Sequence, residues 1–367
     1  MQICKFQEGE NFTAVFDALL QREDLDVTGQ DSQGNSALHL LCTFNCENVT
    51  ADVVDRLLRR GLDASLKNRI GYNALHCLLS GRLSDCKDLI GVIRSFIDYD
   101  GNFDIHAAAS DGHSVLTLLC LYCDGEKLLE AIQLLVVDLK MDIRHKNENE
   151  SNVLHLLSQN ALLARAEPFV DAFKQLIRCG ADVGAVDENG ESSLTLICGY
   201  SEIKNLNDAV RFLITDQKLN LNHQNEDGEN ALHALCSNAL QNEDLASVAC
   251  FLIDNGINVQ AKVKNGKDSA LHILCSNEHC SVDLLQVLIE KGVDLNATNI
   301  EGDNALHLLC RRYPGKENLI DLVRLLVDAG IDVQSRTLGG SSAVHILLEN
   351  EDEIENVFDV VQLLIDG

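Results

Sequence analysis

Two prolines, Pro168 and Pro314, are all that the 367 residues contain, and no Ser/Gly-rich stretch or charge block interrupts the chain. Composition therefore marks no linker or domain boundary. Long apolar runs are missing as well. None reaches the roughly 18 residues a membrane span requires, and the opening MQICKFQEGENF lacks the apolar core of a signal peptide. A membrane-spanning or secreted protein is not expected. Basic side chains are scarce: 29 Lys and Arg stand against 57 Asp and Glu, a formal charge of -28. Charge of that sign repels phosphate backbones and anionic lipid over a Debye length or more, which sets aside nucleic acid and membrane and favours a basic protein surface. No Gly-rich phosphate loop, nucleophile elbow, His-Glu-x-x-His or paired-carboxylate motif occurs, so neither enzyme activity nor a cofactor is expected of these residues.

What the chain does contain is ordinary for a folded soluble protein: 46% hydrophobic and 23% charged residues, enough to bury a large core. Its 14 cysteines do not form the short, spaced framework of a small secreted fold. They read as thiols kept reduced in the cytoplasm or nucleus.

Self-comparison supplies the organisation that composition withholds. A hexapeptide of the form Gly-x-(Ser/Asn)-small-Leu-(His/Thr) recurs nine times, for example GNSALH from Gly34, GHSVLT from Gly112, GENALH from Gly228 and GSSAVH from Gly340. Its last residue falls at 39, 76, 117, 155, 195, 233, 272, 307 and 345, a spacing of 35 to 41 residues. The chain is a repeat protein. In every copy a Ser or Asn (Ser36, Asn73, Ser114, Asn152, Ser192, Asn230, Ser269, Asn304, Ser342) stands where a helix needs a side-chain oxygen for its unpaired N–H groups. Behind it, residues such as Leu38, Leu41 and Cys42 form one apolar stripe at helical spacing. A second stripe, such as Val53, Val54, Leu57 and Leu58, follows a polar stretch and often closes in a glycine suited to a left-handed helix end: Gly61, Gly180, Gly256, Gly292, Gly330, Gly367. Short segments such as VDLNATNIEG then turn into the next repeat.

With these features the sequence resembles the ankyrin repeat family across essentially its whole length. The Asp/Asn-x-x-Gly turns (Asp31 to Gly34, Asp187 to Gly190, Asn225 to Gly228, Asn299 to Gly302), the Leu-His pair and the Leu-Leu-x-x-Gly closure carry the likeness. It implies an all-α repeat solenoid of stacked helix-turn-helix repeats, with hairpin-like turns projecting at right angles and a concave face that binds another protein. Nine repeats are expected over 31–367, starting near 31, 68, 109, 147, 187, 225, 264, 299 and 337, the last truncated, with residues 1–30 forming an N-terminal cap in which FTAVFDALL (12–20) is a lone second helix. The chain also departs from the family. The usual Thr-Pro-Leu-His lacks its proline here, and the small Ala-Ala pair behind it becomes Leu-Cys, as at Leu41 and Cys42 or Leu309 and Cys310. The repeats exceed the common period of about 33 residues. The excess is expected between the two helices, as longer helices or larger loops.

Three constellations could carry chemistry, and each has a plainer structural reading. The motif histidines (His39, His76, His155, His233, His272, His307, His345) are spread one per repeat, as expected of imidazoles that satisfy backbone groups of a neighbouring turn. Cysteine stands three residues on at Cys42, Cys120, Cys198, Cys236, Cys275 and Cys310; a small buried apolar residue is the expected role, and no metal site is assigned. His272, Cys275 and His279 make the best metal candidate, with no fourth ligand. Cys120-x-x-Cys123 is the best redox candidate, although it lies inside an expected helix with no strand before it.

The turn residues hold more promise. Glu148, Glu188, Glu191, Glu226, Asp227, Glu229, Glu301 and Asp303 fall at turn tips, interrupted by Lys264 and Lys267, and stacking places them in a row. They are read as a docking strip for a partner protein with a basic segment, against the plainer reading of a solvated face. Tyr72, Tyr122 and Tyr200, with Phe44 and Ile70, are candidate apolar anchors. A binding scaffold is thus the expected function. The alternative is a recognition or oligomerisation module of a larger enzyme or effector whose active part lies beyond Gly367; self-association is a further expectation.

Overall fold

The computed structural model describes residues 16–366 apart from 19, 23, 25, 45, 82, 84–85, 100–102, 124, 161–167, 201–204, 217–218, 239–243, 313–317 and 350–356. It forms two compact bodies, Met1–Glu188 and Asn189–Gly367. The first contains α1 (Ala37–Phe44), α2 (Ala51–Arg59), α3 (Ala74–Leu79), α4 (Leu89–Tyr99), α5 (Val115–Tyr122), α6 (Gly125–Ile132), α7 (Val153–Ser158) and α8 (Pro168–Arg178). The second contains α9 (Ser193–Gly199), α10 (Leu206–Arg211), α11 (Ala231–Ser237), α12 (Leu245–Asp254), α13 (Ala270–Ser276), α14 (Val282–Glu290), α15 (Ala305–Arg312), α16 (Leu319–Asp328), α17 (Ala343–Glu349) and α18 (Val357–Asp366). Within each body every odd-numbered helix packs on the next odd one and every even on the next even. The result is an all-α repeat solenoid; among the described residues β pairing is confined to isolated bridge residues, such as Lys262 with Ser269. No helix of the described residues is long and apolar enough to cross a membrane.

The odd helices are six to eight residues long. Helices so short are not stable in water on their own, and burial of the stripe holds them. Leu38, Leu41 and Cys42 of α1 and Val54 and Leu58 of α2 are completely buried. Each start is fixed by the Ser or Asn before it. The side chains of Asn73, Asn152 and Asn230 accept from the N–H groups of His76, His155 and His233 at 2.9, 3.1 and 3.2 Å. The extra length of the repeats goes into the connections between odd and even helices, such as 80–88 or 277–281, and not into the odd helices themselves.

Even helices end in two ways. Gly61, Gly180, Gly256, Gly292 and Gly330 all have φ between 79° and 102°, the left-handed turn that side chains other than glycine enter at a cost. Repeats three and five have no glycine there. Their even helices instead run into π-helical segments, 133–138 after α6 and 212–216 after α10. A π turn accommodates one inserted residue, and after the first of them Lys140 takes the left-handed conformation, φ 58°.

Ahead of α1, Phe16 is buried and helical with Asp17 and Ala18. The Arg56 guanidinium of α2 lies 5.6 Å from the Phe16 ring centre and 2.5 Å from an Asp17 carboxylate oxygen, while Arg60 donates to the Arg22 carbonyl at 3.0 Å. Residues 1–15 and 19 of the expected cap lie outside the described residues.

Candidate partner-binding surface

The turns are built by an amide that does two jobs. The Asn225 Oδ1 atom accepts from the N–H groups of Asp227 (3.1 Å) and Glu229 (2.8 Å), which folds the turn. Its Nδ2 group donates to Glu191 of the preceding turn at 2.6 Å and to Glu229 at 3.2 Å. Asn68 and Asn299 do the same toward Asn35 and Asp268. Alongside runs a backbone ladder in which the second turn residue donates to the third of the turn before. Arg69 to Gln33, Glu148 to Asp111 and Glu188 to Asn149 form it in the first body, at 3.0 to 3.2 Å; Glu226 to Asn189, Lys264 to Asp227, Ile300 to Gly266 and Leu338 to Glu301 form it in the second, at 2.7 to 3.0 Å. Successive tips are thereby held in register.

On this ladder Glu148 and Glu188 are exposed in the first body, and Glu226, Asp227 and Glu301 in the second. Glu191 and Glu229 are half-buried around the shared Asn225 amide. Asp303 departs from the expected row. Its side chain is fully buried and held in a fork by Arg311 of α15, whose Nη2 donates to Oδ1 at 3.0 Å. Arg311 also lies 3.8 Å from Glu301. Arg311 thus faces two carboxylates of repeat eight, while exposed tip carboxylates stand unbroken from repeat five (Glu188) to repeat six (Glu226 and Asp227). Lys264, the cation that interrupts the row, donates to the Glu226 carbonyl at 2.6 Å.

The tyrosines separate in the same way. Tyr72 is half-buried and its hydroxyl donates to Asp111 at 2.7 Å; burial first, and then that carboxylate, push the phenol far above its usual range. It ties repeat two to repeat three and has no donor left for a partner. Tyr122 and Tyr200 each remain 39% exposed at the ends of α5 and α9. Phe44 and Ile70, 43% and 60% exposed, line a cavity of about 310 Å³ together with Leu40, Tyr72 and Cys77.

The motif histidines are structural clasps. Backbone N–H groups of Ser36, Asn230, Ser269 and Asn304 point at Nδ1 of His39, His233, His272 and His307, at 3.1 to 3.2 Å. The proton therefore resides on Nε2, which donates at 3.0 to 3.1 Å to the carbonyls of Tyr72, Ala261, Asp303 and Ser335 in the following turns. Burial lowers the pKa of all four, and with the Lys67 ammonium lowers that of His76 to about 4. With both its nitrogens engaged, His272 has no lone pair for a metal. His279 is exposed, and no group of three or more His, Cys, Asp or Glu among the described residues is placed to hold an ion. Cys120 and Cys123 are buried and not joined in a disulfide, and burial pushes Cys120 upward, so it is no nucleophile at neutral pH. Cys198 and Cys310, pushed up to about 12, behave alike.

Stacked helix pairs, turns locked in register and histidines spent on backbone groups define a class, the repeat solenoid that displays a surface. The chain belongs to the ankyrin repeat family, whose arrays are protein–protein interaction modules: the family model for ankyrin repeats matches residues 161–263, 237–337 and 271–367, together more than half of the sequence. It is 26% identical over 214 residues to the mouse (Mus musculus) B-cell lymphoma 3 protein homolog, an alignment covering 58% of this chain and 41% of that relative. The chain thus spans less than half the length of the relative it matches. Among solved structures the human ASB11 ankyrin repeat domain superposes with a TM-score of 0.54 at 18% identity, covering 68% of this chain and 98% of that one. The ankyrin repeat domain of Bcl-3, described as a unique member of the IkappaB protein family, aligns with a TM-score of 0.49 at 21% identity over 69% of this chain and 99% of that one.

Proposed function

We propose that the array, in the cytoplasm or nucleus, docks a partner protein through its turns and odd helices, and that the segment it takes up is basic. The proposal assigns no chemistry to the array and no role to nucleic acid. The observation that carries it is the concentration of solvent-facing carboxylates on repeats five and six, where Glu226 and Asp227 are exposed and Glu191 and Glu229 share one amide donor. A rigid row of like charge speeds and steers encounter with an opposite charge, and salt screens it. Lys and Arg side chains of a partner reach such carboxylates without a deep pocket.

Reversing Glu188, Glu191, Glu226 and Glu229 to Lys tests the reading with a partner recovered by affinity purification and mass spectrometry. Association should slow by tenfold or more at low salt, with the circular dichroism spectrum unchanged. Added salt should weaken the wild-type complex more than the mutant one. A partner that binds the quadruple variant at the wild-type rate in low salt would leave the strip a solvated face.

A further inference from the structure

The second tip position, which feeds the backbone ladder, is occupied in repeats one to seven by Ser32, Arg69, Ser110, Glu148, Glu188, Glu226 and Lys264. In repeats eight and nine it is Ile300 and Leu338, 54% and 81% exposed. Nothing in the folding of these turns calls for an aliphatic side chain there. Ile300 and Leu338 use their backbone N–H groups in the ladder, at 2.7 and 2.9 Å, as Arg69, Glu148, Glu188, Glu226 and Lys264 do. The two tips are neighbours. Leu338 leans over turn eight so closely that a Cβ on Gly302 would sit 3.3 Å from its Cγ. Two adjacent aliphatic side chains in water lose the contribution of burial until something covers them.

We propose that Ile300 and Leu338 are an apolar anchor for the same partner segment that the acidic tips attract, and that this segment is extended and bipartite: a basic cluster and, to one side of it along the chain, a pair of aliphatic residues. The inference rests on the docking role proposed above. Charge complementarity identifies the occupant, because the exposed carboxylates Glu226 and Asp227 lie on the same row two repeats away. Geometry sets the spacing. Stacked helices lie about 8 to 10 Å apart and an extended chain advances about 3.3 Å per residue, so one repeat corresponds to about three residues of ligand. The aliphatic residues should then be about three positions apart, and the basic cluster about six positions from the nearer one. Lys264 does not block the path, since its ammonium is turned back onto the Glu226 carbonyl.

Three fluorescein-labelled synthetic peptides test this by fluorescence anisotropy against the full chain: a Lys/Arg tetrad with two leucines at the stated spacing, the same composition in reverse order, and a control with serine in place of both leucines. One of the two leucine peptides should bind about tenfold tighter than the control, the gain from burying part of two aliphatic side chains. The gain should vanish in Ile300→Ser/Leu338→Ser, whose circular dichroism should match wild type, while the control peptide binds this variant unchanged. If neither leucine peptide surpasses the control, or if the gain survives in the serine variant, the anchor is overturned and the acidic docking reading stands. If the control itself shows no salt-sensitive binding that Glu226→Lys/Glu229→Lys removes, the docking reading falls with it.

Discussion

Repeats three and five are built differently from repeats four and six. In the second pair a histidine closes the odd helix onto its own start, and in repeat six it also reaches forward, His233 donating to the Ala261 carbonyl. In the first pair the residue is Thr117 or Thr195, whose hydroxyl accepts from its own cap N–H at 2.7 or 2.8 Å and donates back to the cap carbonyl. That hydroxyl is spent within its own repeat. The missing bond is returned from the other side: His145 donates to the Gly112 carbonyl and His223 to the Gly190 carbonyl, each at 2.7 Å. Where the motif residue is His39, His76, His233 or His272, the place of His145 is filled by Leu66, Ala107, Ala261 or Ala297. The helix ends differ in step. Tyr122 and Tyr200 close α5 and α9 with exposed rings, whereas Asn160 of repeat four hands its amide to the Cys120 and Cys123 carbonyls at 3.0 and 2.8 Å. In repeats six, seven and eight the imidazole reaches forward, in repeats three and five it is returned from the following turn, and the two kinds of repeat disagree about which side supplies it.

The largest effect should come from acid. The buried motif histidines His39, His76, His233, His272 and His307 have folded pKa values below the unfolded value near 6.5, so the unfolded chain takes up protons that the folded chain refuses. Stability is complete above about pH 6.5 and falls as pH drops from there toward the folded values. Each depressed histidine contributes up to about 1.4 kcal/mol per pH unit. Urea unfolding should therefore show a marked loss between pH 7 and pH 5, and replacing His233 by Thr should make it shallower. A midpoint indifferent to pH over that range would contradict the tautomer assigned to the clasps.

Next come the cores, where the two kinds of repeat should not differ. Leu194 and Leu232 occupy the same position in repeats five and six and are both essentially buried. Truncation of either to Ala should cost about 2 to 5 kcal/mol through the cavity it leaves. Clearly unequal losses in thermal unfolding would extend the difference from the clasp into the packing. The clasp itself yields to a double-mutant cycle. Thr195→His overfills the junction and His223→Ala empties it, so each should destabilise alone. The double variant rebuilds the other pattern and should recover about 0.5 to 3 kcal/mol relative to their sum. Additivity would mean that the two imidazoles do not share one space. The smallest effect belongs to the tips: Glu229→Ala should shift stability by less than about 0.5 kcal/mol.

The architecture was legible because its causes are local and repeated. Cap oxygens, apolar stripes and closing glycines lie within one repeat, and nine copies average out the exceptions. The tips were less legible. That Asp303 turns inward depends on Arg311, eight positions away along α15, and a spacing pattern cannot show that a guanidinium folds back over its own turn. The tie from Tyr72 to Asp111 is hidden for the same reason, since Asp111 comes from the next repeat. The swapped clasp did leave a signal. Thr117 and Thr195 are 78 positions apart, as are His145 and His223; comparing repeats two at a time, instead of one at a time, exposes it. The π segments also follow from the missing glycines in the same two repeats, an absence that a list of the glycines present does not reveal.

From repeat three to repeat six the returned imidazole makes the array something that can be spliced only in phase. Excising residues 145–222 joins Arg144 to His223, and Thr117 again faces a histidine from the following turn. Cutting out a single one of repeats three to six instead sets two imidazoles against one junction or leaves none. Length in that stretch is thus quantised in pairs, whereas repeats seven and eight, whose histidines both reach forward, can each be lost alone; between repeats three and six a graft that ignores parity breaks a hydrogen bond at the seam even where every helix is kept whole.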